Sequence, residues 1–122
     1  MMRFTHSGFE CMTKVSVMGI PCGYVGLPKS HPLFGKHYDD VDDENIQVHG
    51  GLTFSGYWEE LADNLWYLGF DCGHAWDMDM DYSRGQQMGG HSIPLYHSNK
   101  SGEFVEEQTR RLAEQLEKVK SK

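Results

Sequence analysis

Two short runs of this chain gather its most chemically versatile side chains. Residues 49–56 read HGGLTFSG and residues 69–74 read GFDCGH, so imidazoles, a carboxylate, a thiol and two hydroxyls are set among glycines. Adjacent Gly50 and Gly51 let a ligand approach the backbone. The N–H groups of such a turn form a concave anion site, to which Thr53 and Ser55 add hydroxyl donors. A phosphate suits that chemistry, although the lysine and the spacing of a Walker loop are absent. The same glycines also serve a plain turn or bulge that bends a strand.

A second chemistry is open to the same region. Asp71, Cys72, His74 and Asp77, joined by His49, carry groups that bind zinc or another transition metal, and the carboxylates also tolerate magnesium or manganese. An ion held by His49, Asp71, His74 and Asp77 would activate water for hydrolysis. The spacing of Cys72, His74 and Asp77 matches no closed zinc motif, so a buried Cys72 with a hydrogen-bonded His74 is the structural alternative. Cys72 as a nucleophile would need a lowered pKa and a histidine, His49 or His74, beside it. Asp77, Asp79 and Asp81 alternate like the opening of a calcium loop. Tyr82 stands where that loop needs glycine and Met88 where it needs its bidentate glutamate, which leaves a flexible acidic loop.

Tyr57, Trp58, Trp66, Tyr67 and Trp76 bracket the two runs. They suit stacking on a nucleobase, and equally core packing or a subunit interface. Trp66 and Tyr67 would face opposite sides of a strand, which leaves room for only one of them in a core. Arg84, in a glycine-bearing stretch, is the cation best placed to meet a phosphate, whereas Arg110 and Arg111 read as helix surface. His31, His37, His91 and His97 read as surface histidines.

These groups need elements to hold them. Residues 46–48 and 65–70 are apolar, β-prone runs, so each polar cluster sits at the end of an expected strand. Lys14, Val15, Ser16 and Val17 alternate as a half-buried strand does, and Gly19, Ile20 and Pro21 turn the chain into a partner strand at residues 22–27. Residues 1–11 read as an edge strand or a mobile arm. Pro28 and Pro32 give an ordered loop at residues 29–36, and the acidic residues 39–44 a solvated one. Trp58, Leu61, Ala62 and Leu65 recur at near-helical spacing, which suggests about two helical turns over residues 57–64. At residues 103–119 the pattern is clearer. Val105, Leu112, Leu116 and Val119 share one face, Ser101 or Gly102 can cap, and glutamates lead while lysines trail. The expected fold is therefore α+β: one domain over residues 1–122, with a small antiparallel sheet of about four to six strands and a C-terminal amphipathic helix packed on one face.

Composition narrows the partners. A formal net charge of −7 works against bulk nucleic acid, and no apolar run is long enough to span a membrane. With no leader-like segment, the expected location is the cytoplasm. Cys11, Cys22 and Cys72 cannot all pair and read as free thiols. Three tryptophans and an apolar helix face in so short a chain suggest a homo-oligomer.

The blocks HGGLTFSG and WYLGFDCGH, with GYVGLPKSHPLFGKHYDD upstream and FVEEQTRRLAEQL near the end, resemble a family of small proteins encoded by tailed phages and prophages. The resemblance runs from about Cys22 onward. Some small phage proteins sequester cyclic nucleotides used in bacterial immune signalling. The resemblance thus implies an anti-defence sponge in the host cytoplasm, binding a nucleotide without turnover and needing no cofactor. Its expected ligand residues are His49, Gly50, Gly51, Thr53, Ser55, Trp58, Asp71, His74, Trp76 and Arg84. The competing readings are the metal-dependent hydrolase above and an acidic inhibitor of a host protein.

Overall fold

The computed structural model describes residues 2–16, 19–41, 45–61, 64–73 and 100–119 in full, and residues 78–88 and 91–98 by their strand pairing alone. Strand β1 (Met2–His6) turns at Ser7–Gly8, both at positive φ, into β2 (Phe9–Val15), and β2 pairs with β3 (Pro21–Leu27). Strand β4 (Phe54–Tyr57) is followed by β5 (Trp66–Asp71), which inserts between β3 and β4. The result is a five-stranded sheet, entirely antiparallel, in the order β1-β2-β3-β5-β4. Strands β6 (Met78–Met88) and β7 (His91–Ser98) pair as a separate antiparallel ribbon. The chain closes with helix α1 (Gly102–Glu117).

The fold is α+β, with the C-terminal helix packed against β2 and β3. Ser101 is its cap, its hydroxyl accepting from the Phe104 amide at 3.1 Å. Val105, Leu112, Ala113 and Leu116 bury against Cys11, Val25, Leu27, Leu68 and Phe70. Helix and sheet approach so closely at Gly23 that a Cβ there would run into Thr109 Oγ1 and the Phe70 ring. Thr109, the buried polar residue of the helix, answers its own hydroxyl by donating to the Val105 carbonyl at 2.7 Å.

The sheet's other face has its own core, of Met12, Cys22, Tyr24 and Tyr67 roofed by Ile20, Phe54, Trp58, Leu61 and Leu65. Two covered faces correct the expectation that only one of Trp66 and Tyr67 could be packed. Tyr67 is fully buried on the second face, while Trp66 packs on the rim of the first and donates its Nε1–H to the Lys36 carbonyl at 2.9 Å.

Three other expectations are revised. Residues 57–61 are not helical: β4 runs through Tyr57, and a turn closed by Leu61 N–H to Trp58 O at 3.0 Å folds the chain back over the second core. Ala62 and Asp63 lie outside the described residues. The spacing that imitates a helix arises because Trp58, Leu61 and Leu65 must all reach the same apolar patch. Residues 46–48 are not a strand: the Gln47 main chain bonds to the Gln115 side chain of the helix, and the Val48 carbonyl accepts from the Gly51 amide of the following turn. Residues 78–81 belong to β6, where they pair with residues 95–98 of β7 instead of forming an acidic loop.

Residues 29–36 are an ordered loop. Successive turns link His31 to Pro28, Phe34 to His31 and Lys36 to Leu33. His31, read as a surface residue, ties this loop to the helix: its Nδ1 accepts from the Leu33 amide at 3.0 Å, so Nε2–H donates to the Leu116 carbonyl at 2.8 Å. That bond satisfies a carbonyl in the last turn of α1.

Candidate functional site

The HGG segment is positioned by the helix. Gln115 Oε1 accepts from the Gln47 amide at 2.6 Å and Gln115 Nε2 donates to the Gln47 carbonyl at 2.7 Å. Two turns earlier, Gln108 Oε1 accepts from the His49 amide at 3.2 Å. The His49 ring lies edge-on to Phe104, with centroids 5.0 Å apart. Beyond this anchor the chain turns sharply, Gly51 N–H donating to Val48 O at 2.9 Å, with Gly50 at φ 69° and Gly51 at φ 82°. Both angles lie in the left-handed region, where a side chain is strained. The glycines are therefore required by the turn itself.

The turn forms one wall of an open cleft of about 370 Å³, lined by Tyr38, Asp39, Ile46, Gln47, Val48, Gly50, Gly51 and Leu52. Across the run, the amides of His49, Gly51 and Thr53 are already committed, to Gln108, Val48 and the Gly69 carbonyl. Those of Gly50 and Leu52 have no partner among the described residues. Asp39 shares this lining; its side chain is 76% exposed and lies 3.7 Å from His37 Nδ1. Tyr38 and Asp39 come from a single 3-10 turn (Tyr38–Asp40), capped by His37 Nδ1 accepting from the Asp39 amide at 3.2 Å. Among the described residues the lining thus offers two main-chain donors and one carboxylate, and no lysine or arginine.

Other expected site residues are distributed differently. Thr53 Oγ1 donates to Asp71 Oδ2 at 3.0 Å, and Asp71 Oδ1 accepts from the Gly73 amide at 2.9 Å. This bond ties the strand ends together, and Asp71 pairs in register with Cys22 on the second face. His49 is held against α1 by Gln108 and Phe104. Ser55 Oγ accepts from the Tyr38 amide at 3.1 Å and so braces the cleft's acidic turn from below. Trp58 belongs to the second core, edge-on to Tyr24 with centroids 4.8 Å apart. His74, Trp76 and Asp77 lie outside the described residues, and Arg84 is placed only as a position on β6. Arg110 and Arg111 form helix-surface pairs with Glu106 and Glu107.

The three cysteines are free and buried. Burial pushes the Cys11 thiol up to about 11 and raises Cys22 as well, both toward the inert neutral form. Tyr24, which shares a hydrogen bond with Cys22, is raised for the same first reason. Cys72 is fully buried in the first core, closed to a substrate. Among the described residues no group of three or more His, Cys, Asp or Glu side chains is placed to hold an ion, and the metal set read from the sequence depends on the undescribed His74 and Asp77. No helix among the described residues is long and apolar enough to cross a membrane.

Sequence reasoning missed Tyr38, Asp39 and the glutamine pair. Gln108 and Gln115 are seven positions apart, two turns along one helix face, and that spacing was the available signal. No protein-family model, curated protein or solved structure matches this chain.

Proposed function

We propose that the chain is a binding protein that holds a small nucleotide in the cleft beside the Gly50–Gly51 turn without turning it over, as a phage anti-defence sponge would. The observation that carries this reading is the pair of amides, Gly50 and Leu52, that have no partner among the described residues, in the lining of a cleft that also presents the exposed Asp39 carboxylate. Two N–H donors suit a phosphate oxygen or a base carbonyl, and a carboxylate suits a ribose hydroxyl or an exocyclic amine. A nucleotide carries both kinds of group on one rigid frame. Among the described residues the lining carries a carboxylate and no lysine or arginine, which favours the base and sugar as the buried end, with phosphate charge directed toward water.

Support for binding over catalysis comes from what the nearby polar groups already do. Thr53, Ser55 and Asp71 are engaged in bonds that hold the cleft's frame. The cleft is open to solvent, and a second copy closing it is the oligomer this proposal includes. The motive from an apolar helix face is reduced, since α1 buries that face on its own sheet. Native mass spectrometry of the protein purified from phage-challenged cells tests the reading. A retained nucleotide, released intact on denaturation, is the expected result; a bound metal with hydrolysed product would replace the sponge with the hydrolase.

A further inference from the structure

A second recognition surface lies at the sheet edge, and it shares no lining residue with the cleft. Strand β4 ends the sheet order, so only one of its two rows of main-chain groups meets β5. Its outward row finds no main-chain partner among the described residues. Such a row is a template for another strand unless something blunts it. Phe54, Tyr57, Trp58, Glu59 and Glu60 line a concavity of about 330 Å³ at this edge.

The chemistry of that concavity selects a partner. Tyr57 is 58% exposed, an unusual state for a large ring on a strand. Glu59 and Glu60 form no ion pair within the described chain. Lys14 Nζ sits 4.7 Å from the Trp58 ring centroid, so that ring already has its cation, and the exposed Tyr57 ring beside Glu59 and Glu60 is the one left to receive another. Aromatic walls beside two unpaired carboxylates match a guanidinium, which stacks on rings and bonds a carboxylate through two N–H groups. A free edge strand beside them matches an extended main chain.

We propose that the outer edge of β4, with the concavity formed around Trp58, Glu59 and Glu60, docks an extended arginine-bearing segment of a partner protein as an added strand. The main-chain ladder supplies affinity and the arginine supplies selection. A strand of four residues is short, so the ladder alone is weak and the side-chain contact decides.

The test uses a capped pentapeptide alternating threonine and arginine, titrated into the full chain by fluorescence anisotropy. Binding is expected, weakened at least about tenfold by the Glu59→Gln/Glu60→Gln double variant and by N-methylation of alternate peptide amides. Both glutamates are exposed, so the double variant should keep the wild-type circular dichroism and melting temperature. No binding at millimolar peptide, or binding indifferent to N-methylation, overturns the proposal. Sedimentation without peptide provides a further check: self-association that the double variant abolishes would make a second copy of this chain the occupant and would also overturn it.

Discussion

The side chain of Gln115 holds the main chain of Gln47 by both of its hydrogen-bonding groups, accepting from the amide at 2.6 Å and donating to the carbonyl at 2.7 Å. A helix side chain thereby takes the place of a neighbouring strand. The β-prone segment it captures leads directly into the glycine turn, so helix and cleft are mechanically one unit.

Removing this clamp should loosen the turn without dismantling the sheet. Gln115→Ala is expected to cost about 1–2 kcal/mol, two neutral hydrogen bonds' worth, and to speed amide exchange at Gln47. Gln115→Glu retains the acceptor and loses the donor, and should fall between alanine and wild type. Denaturant melts with site-resolved hydrogen exchange check both. An alanine variant with wild-type exchange at Gln47 would mean the segment is held by something else.

The glycine turn makes a prediction that depends on size. A Cβ at Gly51 would meet nothing within 4 Å, so the penalty for a side chain there is backbone strain and not collision. Gly51→Ala and Gly51→Leu should each destabilise by about 1 kcal/mol and differ little, with Gly51→Asn milder because asparagine tolerates the left-handed region. A cost that climbs with side-chain volume would reveal a packed neighbour.

Gly23 should behave in the opposite way. Its added Cβ would collide with Thr109 and Phe70 at the closest helix–sheet approach, so Gly23→Ala should cost about 3 kcal/mol. Thr109→Ala should relieve the clash in part, since the Phe70 ring remains. Double-mutant melts measure the coupling, and simple additivity would place the helix farther from the sheet than described.

Alkaline pH should unfold this protein earlier than its charge suggests. Burial raises Cys11 from 9.0 to about 11, so the folded state favours the neutral thiol. The stabilisation is complete below pH 9, where the thiol is neutral in both states, and is lost as pH rises toward 11. Raised Cys22 and Tyr24 act in the same direction. Melting temperatures across that range should fall steeply, and less steeply in Cys11→Ala. A flat profile would contradict the burial of these groups.

The legible parts of the sequence were those whose partners are local or periodic. The apolar face of α1 and the Ser101 cap follow from spacing within one helix, and β3 and β5 follow from runs of β-prone residues, whereas the alternation at residues 14–17 touches only the end of β2, which runs over Phe9–Val15 and pairs with β1 inside the stretch read as one edge strand or arm. What escaped depends on contacts between distant segments. Trp58, Leu61 and Leu65 keep helical spacing while serving as a roof, because a patch on a sheet constrains where side chains arrive and not the path between them. The glutamine clamp replaces a strand with side chains, a substitution invisible to residue patterning. Asp39 opens an acidic run that composition assigns to solvent, with Tyr38 just before it, and a contact distant in sequence, the Tyr38 amide bonding Ser55 of β4, ties them beside the glycines.

Whether the Gly50 and Leu52 amides and the Asp39 carboxylate hold a nucleotide is tested most directly by calorimetric titration of cyclic dinucleotides and mononucleotides into wild type and Asp39→Asn. Asp39 is exposed, so its replacement should leave the fold intact. Saturable binding of at least one nucleotide is expected, weakened about tenfold in Asp39→Asn through loss of a charge-assisted hydrogen bond, with the ligand recovered unchanged. No heat of binding across the panel, or equal affinity in the two proteins, would contradict it.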